Sequence, residues 1–115
     1  MITTLSLQAQ SITKLDPEKF EKKLVEVKNP VLIDVRTPEE YRGGHLEEAT
    51  LMDYYASDFK SKASKLDRAK PVFVYCASGV RSNSAAEIFK GLGFQVYDLA
   101  GGIRSWSRAG KAIAK

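Results

Sequence analysis

Three short apolar runs, 31–35 (VLIDV), 72–75 (VFVY) and 95–99 (QVYDL), are separated by stretches with helical spacing, and this alternation constrains the fold most. Strands buried on both faces of a parallel sheet read as near-continuous apolar runs rather than as an in/out alternation. Strands that alternate with helices build a sheet from crossover units. The expectation is a small α/β domain, with a central, mostly parallel sheet flanked by helices. At 115 residues the chain has the size of one domain and no room for a second core.

The intervening segments carry clear start and stop signals. Asp16 is an N-cap with Pro17 in the first helical position, and Phe20, Leu24 and Val27 follow at helical spacing until Asn29-Pro30 stops the run. Thr37-Pro38-Glu39-Glu40 reads as a capping box opening a short helix that Gly43-Gly44 ends, with a short strand at 49–52. Residues 55–67 read as a helix with Phe59, Ala63 and Leu66 on one stripe. A further helix runs from Ser82 to Leu92, with Gly93 at C′ and Phe94 as its hydrophobic partner. Gly101-Gly102 marks a turn, and 103–108 a last short helix carrying Trp106. Residues 2–7 (ITTLSL) read as an edge strand or an unpaired tail, so the domain is expected over 13–115 behind a tail of 1–12.

The net charge of +4 is mild, and its signs alternate along 18–23 and 60–70, as on a solvated surface. A nucleic-acid partner would call for a concentrated basic stripe with exposed aromatics, so none is expected. A single cysteine excludes an internal disulfide framework and a multi-cysteine metal site. Neither a metal nor a cofactor is expected. No stretch reaches the apolar length of a membrane span, so no membrane partner is expected either. The first ten residues lack the basic and long apolar regions of a signal peptide, which favours a cytoplasmic location. The run SLQAQS (6–11) resembles the small-residue end of such a peptide, so a periplasmic or exported protein is the alternative.

The chemistry concentrates at Cys76-Ala77-Ser78-Gly79-Val80-Arg81. The cysteine directly follows a buried strand and precedes a helix, which places it in the crevice at the carboxyl ends of the strands. A tight loop feeding a helix turns successive backbone N–H groups toward one point, an anion nest backed by the helix N-terminus. Gly79 admits a backbone angle closed to other residues, and Arg81 adds a cation with a fork of donors. The same surroundings lower a cysteine pKa. The expectation is a nucleophilic thiolate at the floor of an anion cradle. A lone cysteine after a strand is otherwise most often an inert small core residue. The small residues, glycine and arginine of this turn argue against that, since only Val80 is a bulky apolar group.

The chain resembles the single-domain rhodanese family in LIDVR (32–36), TPEEY (37–41), GHLEEA (44–49), VYCASGVRS (74–82), AAEIFKGLGF (85–94) and LAGGIRSW (99–106), in the family's order and spacing. The resemblance implies a sulfurtransferase. It would take sulfane sulfur from thiosulfate or a persulfide donor, hold it on Cys76, and pass it to cyanide, a cellular thiol or a protein acceptor. Carried over, Cys76 and Arg81 are the catalytic pair, and Ala77, Ser78, Gly79, Val80 and Arg81 form the substrate cradle. Asp34 is expected beneath the loop, helping to organise it. Arg36 is expected to brace nearby loops through an acid such as Glu40, His45 to be architectural, and Ser82 to support the cradle. Tyr54 and Tyr55 fall near the pocket mouth.

The interval from Cys76 to Arg81 holds four residues, which resembles the six-residue rhodanese loop. Related cell-cycle phosphatases and arsenate reductases have a loop one residue longer, wide enough for a tetrahedral oxyanion. A phosphatase or arsenate reductase on the same cradle is one alternative. A persulfide carrier or regulatory binding domain without turnover is the other.

Overall fold

A computed structural model describes residues 11–115. The elements are β1 (Ser11–Leu15), α1 (Pro17–Glu26), β2 (Val31–Asp34), α2 (Pro38–Arg42), β3 (Thr50–Leu51), α3 (Phe59–Ser64), β4 (Val72–Tyr75), α4 (Val80–Gly91), β5 (Gln95–Leu99) and α5 (Gly102–Arg108). All pairings in the five-stranded sheet are parallel, in the order β1-β5-β4-β2-β3, which sets β4 at the centre. The expected α/β class with a parallel sheet is what forms. The stretch 2–7 lies outside the described residues. Among the described residues, β1 begins at Ser11.

Alternate residues along the strands feed two cores. On one face Ile33, Val35, Val72, Val74, Cys76 and Val96 pack with Phe59, Ala63, Ala85 and Phe89 of α3 and α4. On the other Leu32, Phe73, Tyr75, Tyr97 and Leu99 pack with Phe20 of α1 and Trp106 of α5. Trp106 anchors its helix, donating Nε1–H to the Ala112 carbonyl at 2.9 Å. The helix ends follow their sequence signals. Asp16 caps α1 by accepting from Lys19 N, and Thr37 and Glu40 form the reciprocal capping box of α2. After α4, Gly93 N–H reaches Lys90 O at 2.9 Å and Phe94 N–H reaches Phe89 O at 3.1 Å, with the two phenyl rings edge to face. This is the Schellman closure expected of Gly93-Phe94.

Two helices differ from their sequence boundaries. The helix expected over 55–67 is only Phe59–Ser64. Asp53 captures the preceding residues in tight turns, its Oδ1 accepting from Tyr55 N and its carbonyl from Ala56 N. Such local side-chain bonds compete with helix. Helix α4 starts at Val80 rather than Ser82, because Gly79 at φ +111° already turns the chain into the helix.

Candidate active site

Cys76 follows the last residue of the central strand, on the face covered by α3 and α4. The residue is 1% exposed, so its sulfur lies at the floor of the loop that leads into α4. Gly79 N–H points at Cys76 Sγ from 3.1 Å. Burial opposes ionisation of this thiol. Bonds from the Ser82 backbone and hydroxyl and from the Gly79 and Ser78 backbones outweigh burial and leave its pKa below the ordinary cysteine value. The twelve-residue helix α4 stands behind the loop with its N-terminus toward the sulfur.

The loop is held from below by the start of α5. Ile103 N–H donates to Cys76 O at 2.9 Å, and Arg104 N–H to Ala77 O at 3.2 Å. Gly102, at φ +64°, lets the two backbones cross, since a Cβ there would lie 2.5 Å from the carbonyl oxygens of Cys76 and Ala77. At the mouth Val80 and Tyr55 are exposed, and the Arg81 guanidinium sits over the Tyr55 ring. Tyr54 instead turns inward onto Phe59.

Arg81 is not a free cation. Its Nη1 and Nη2 donate to Glu40 Oε1 and Oε2 at 2.8 and 3.0 Å, a bidentate pair across 41 residues of chain. That bond, with further help from Thr37, holds the Glu40 carboxyl at about 2. Arg36 does not use Glu40, contrary to expectation. It lies two residues after Asp34 and turns back on it, donating from Nε at 3.0 Å and Nη2 at 2.8 Å, and it also donates to Gly44 O. The reason is strand-end geometry. Asp34 is fully buried at the end of β2 and needs donors at once, and Arg36 N, Arg36 Nε and Nη2, and Tyr75 O–H supply them.

Asp34 acts on the loop only indirectly. Its partner Tyr75 precedes Cys76 but faces the opposite core, and the Tyr75 hydroxyl also accepts from Leu46 N–H at 3.0 Å. Asp34 therefore braces the strand ends and the 44–46 turn rather than the cradle amides. His45 stacks on Tyr41 at 3.8 Å and donates Nδ1–H to Tyr41 O, while its backbone pairs with Ala114. None of these contacts is with the cysteine loop.

Ser82 is fully buried, with Oγ 3.6 Å from Cys76 Sγ and 2.8 Å from Asp98 Oδ1. Asp98 was not among the expected residues. The signal for it is present, because an acid interrupts the apolar run 96–99 just as Asp34 interrupts 31–35.

The site thus consists of one buried cysteine beneath backbone N–H donors, at the carboxyl end of a central parallel strand. The family model for the rhodanese-like domain matches residues 16–109. A sulfurtransferase of Allochromatium vinosum is 29% identical over 89% of this chain and 94% of its own length. The thiosulfate sulfurtransferase GlpE of Coxiella burnetii is 34% identical over 72% of this chain and 77% of its own. Among solved structures, a rhodanese-related protein of Thermoplasma volcanium superposes with a TM-score of 0.78 at 27% identity, covering 89% of this chain and 97% of that one. The chain belongs to the rhodanese-like domain family. No helix among the described residues is long and apolar enough to cross a membrane.

Proposed function

We infer that the protein transfers sulfane sulfur through a persulfide on Cys76. The observation that carries this reading is the cysteine itself, lowered in pKa beneath the Gly79 N–H at 3.1 Å. Its relatives named as sulfurtransferases, one of them for thiosulfate, supply the donor class. In the first step the Cys76 thiolate attacks the outer sulfur of thiosulfate. A Cys76–sulfur bond forms, the sulfur–sulfur bond of the donor breaks, and sulfite leaves with the electron pair. A persulfide adds a sulfur about 2 Å further out, within reach of the loop N–H groups, which stabilise its negative charge. In the second step cyanide or an acceptor thiolate attacks that outer sulfur, and Cys76 departs as the thiolate.

Ala77, Ser78, Gly79 and Val80 supply the cradle backbone. Arg81 acts at its rim as half of an ion pair, so the N–H groups carry most of the anion binding. The Glu40 carboxylate beside Arg81 moderates the attraction for dianions and leaves room for acceptors that bring little charge.

Intact-mass measurement after exposure to thiosulfate tests the reading. The expected product is heavier by one sulfur, is reversed by cyanide or excess thiol, and is absent in Cys76→Ser. Added sulfur that appears equally in Cys76→Ser would refute the mechanism. Aryl-phosphate hydrolysis or arsenate reduction that depends on Cys76 would replace it with the oxyanion alternative.

A further inference from the structure

Asp98 lies two residues beyond Val96 on β5, so its side chain faces the core that contains Cys76 and α4. It is 1% exposed. Its Oδ1 accepts from Ser82 Oγ at 2.8 Å, while Oδ2 is buried with no hydrogen-bond partner among the described residues. A buried carboxylate with an unpaired oxygen is costly, and the bond to Ser82 alone does not require an acid, because an amide would accept it as well. Asp98 is among the residues lining a cleft of about 460 Å³, with Lys14, Ser78, Asn83 and Gly101.

Ser82 has one hydroxyl proton, with Cys76 Sγ on one side and Asp98 Oδ1 on the other. The Gly79 carbonyl, at 3.3 Å, is its more distant acceptor. When Cys76 is a thiol, S–H donates to Ser82 Oγ and Ser82 donates to the Asp98 carboxylate. When Cys76 is a thiolate, Ser82 donates to the sulfur, and Asp98 can keep its bond to Ser82 only as a carboxylic acid. Both arrangements use the same heavy-atom positions and differ by one transferred proton.

We propose that Cys76, Ser82 and Asp98 form a proton relay, in which the thiol proton moves to Ser82 Oγ as the Ser82 proton moves to Asp98. The purpose of the relay rests on the sulfurtransferase reading, but its test does not. In the thiosulfate step, thiol, carboxylate and thiosulfate become persulfide anion, neutral carboxylic acid and sulfite, so charge and protons balance without another reactant. The loop never holds two adjacent buried anions while the sulfur is being armed.

The surroundings narrow the gap between the two proton sites. Burial raises the Asp98 pKa, against the Ser82 bond and the charge of Lys14, its register partner on β1. The Cys76 pKa is lowered by its hydrogen bonds. The register partner of Asp98 on β4 is the neutral Val74, and from α4 Asp98 meets the neutral Ser82. The Arg81–Glu40 pair lies at the mouth, on the Cys76 side.

The test is the rate of Cys76 alkylation by iodoacetamide across pH, read by intact mass on the full chain. Two coupled groups titrate in two macroscopic steps, so the wild type should show two rises separated by at least about one pH unit. Asp98→Asn should show one rise with its midpoint between the two. Ser82→Ala keeps both acids but removes the bridge, and should bring the two rises together. A single rise in wild type overturns the relay, even if Asp98→Asn does not fold. Two rises that persist unchanged in Ser82→Ala would assign the coupling to charge acting through space and also overturn it. Alkylation needs no sulfur donor. Failure of thiosulfate loading with two rises intact would refute the sulfurtransferase reading and leave the relay standing.

Discussion

Replacing Tyr75 by phenylalanine removes one oxygen from the fully buried bridge between Asp34 and the 44–46 turn. The hydroxyl donates to Asp34 Oδ2 at 2.7 Å and accepts from Leu46 N–H at 3.0 Å. Loss of a hydrogen bond to a charged acceptor costs about 1.5–3 kcal/mol, and an unsatisfied buried N–H costs about 1–3 kcal/mol. Asp34 keeps its three donors from Arg36, so the lower part of the combined range applies, about 3 kcal/mol. In a domain of this size each kcal/mol lowers Tm by about 4 °C, which predicts a drop of about 12 °C. Urea and thermal melts of wild type and Tyr75→Phe measure it. Thiosulfate kcat/KM well below the melting range should change less than about twofold, because Tyr75 faces away from the sulfur. A stability loss under about 1 kcal/mol would refute the role given to this hydroxyl. A normal melt with lost activity would show that Asp34 and Tyr75 act on the cradle after all.

Arg81→Ala should lower kcat/KM for thiosulfate by roughly tenfold, since it deletes a cation and exposes the Glu40 carboxylate to the anion. Arg81→Ala with Glu40→Gln should recover part of the loss, and no recovery would remove Glu40 from the electrostatics of the mouth. Because the folded Glu40 pKa is about 2, below its ordinary 4.5, ionised Glu40 stabilises the protein above that ordinary value, and the contribution disappears as pH falls through the folded one. Its size after screening is about 1 kcal/mol, so Glu40→Gln should show a flatter acid limb in urea melts between about pH 5 and 2. Gly102→Ala forces a Cβ to 2.5 Å from the loop carbonyls at φ +64°. It should cost about 3 kcal/mol or more in urea melts and slow thiosulfate loading of whatever protein remains folded.

Most of the architecture is legible in the residues, because the buried strands and helix caps are local signals. Thr37 and Glu40 cap α2 as their spacing dictates, and Gly93 with Phe94 closes α4. What local reading misplaces is the choice between partners. Arg36 and Arg81 compete for Asp34 and Glu40, and the expectation from sequence pairs Arg36 with Glu40. The fold decides otherwise, since Asp34 is buried and close to Arg36 while β4 brings Arg81 across 41 residues to Glu40. Helix α3 is shortened by Asp53, whose turn-forming oxygens outweigh a clean apolar stripe. Asp98 escapes notice although it breaks an apolar run in the manner of Asp34, because its importance depends on facing Ser82 across two elements.

The tie between the cysteine loop and α5 has a consequence for synthesis on the ribosome. Cys76 emerges well before Ile103 and Arg104, whose amides hold its loop, and before β5, to which the first strand must return. Contacts so far apart in sequence form late. A nascent chain cut short before α5 lacks the two amide bonds that hold the cysteine loop. The cysteine loop therefore takes its final shape only when nearly the whole domain has left the tunnel.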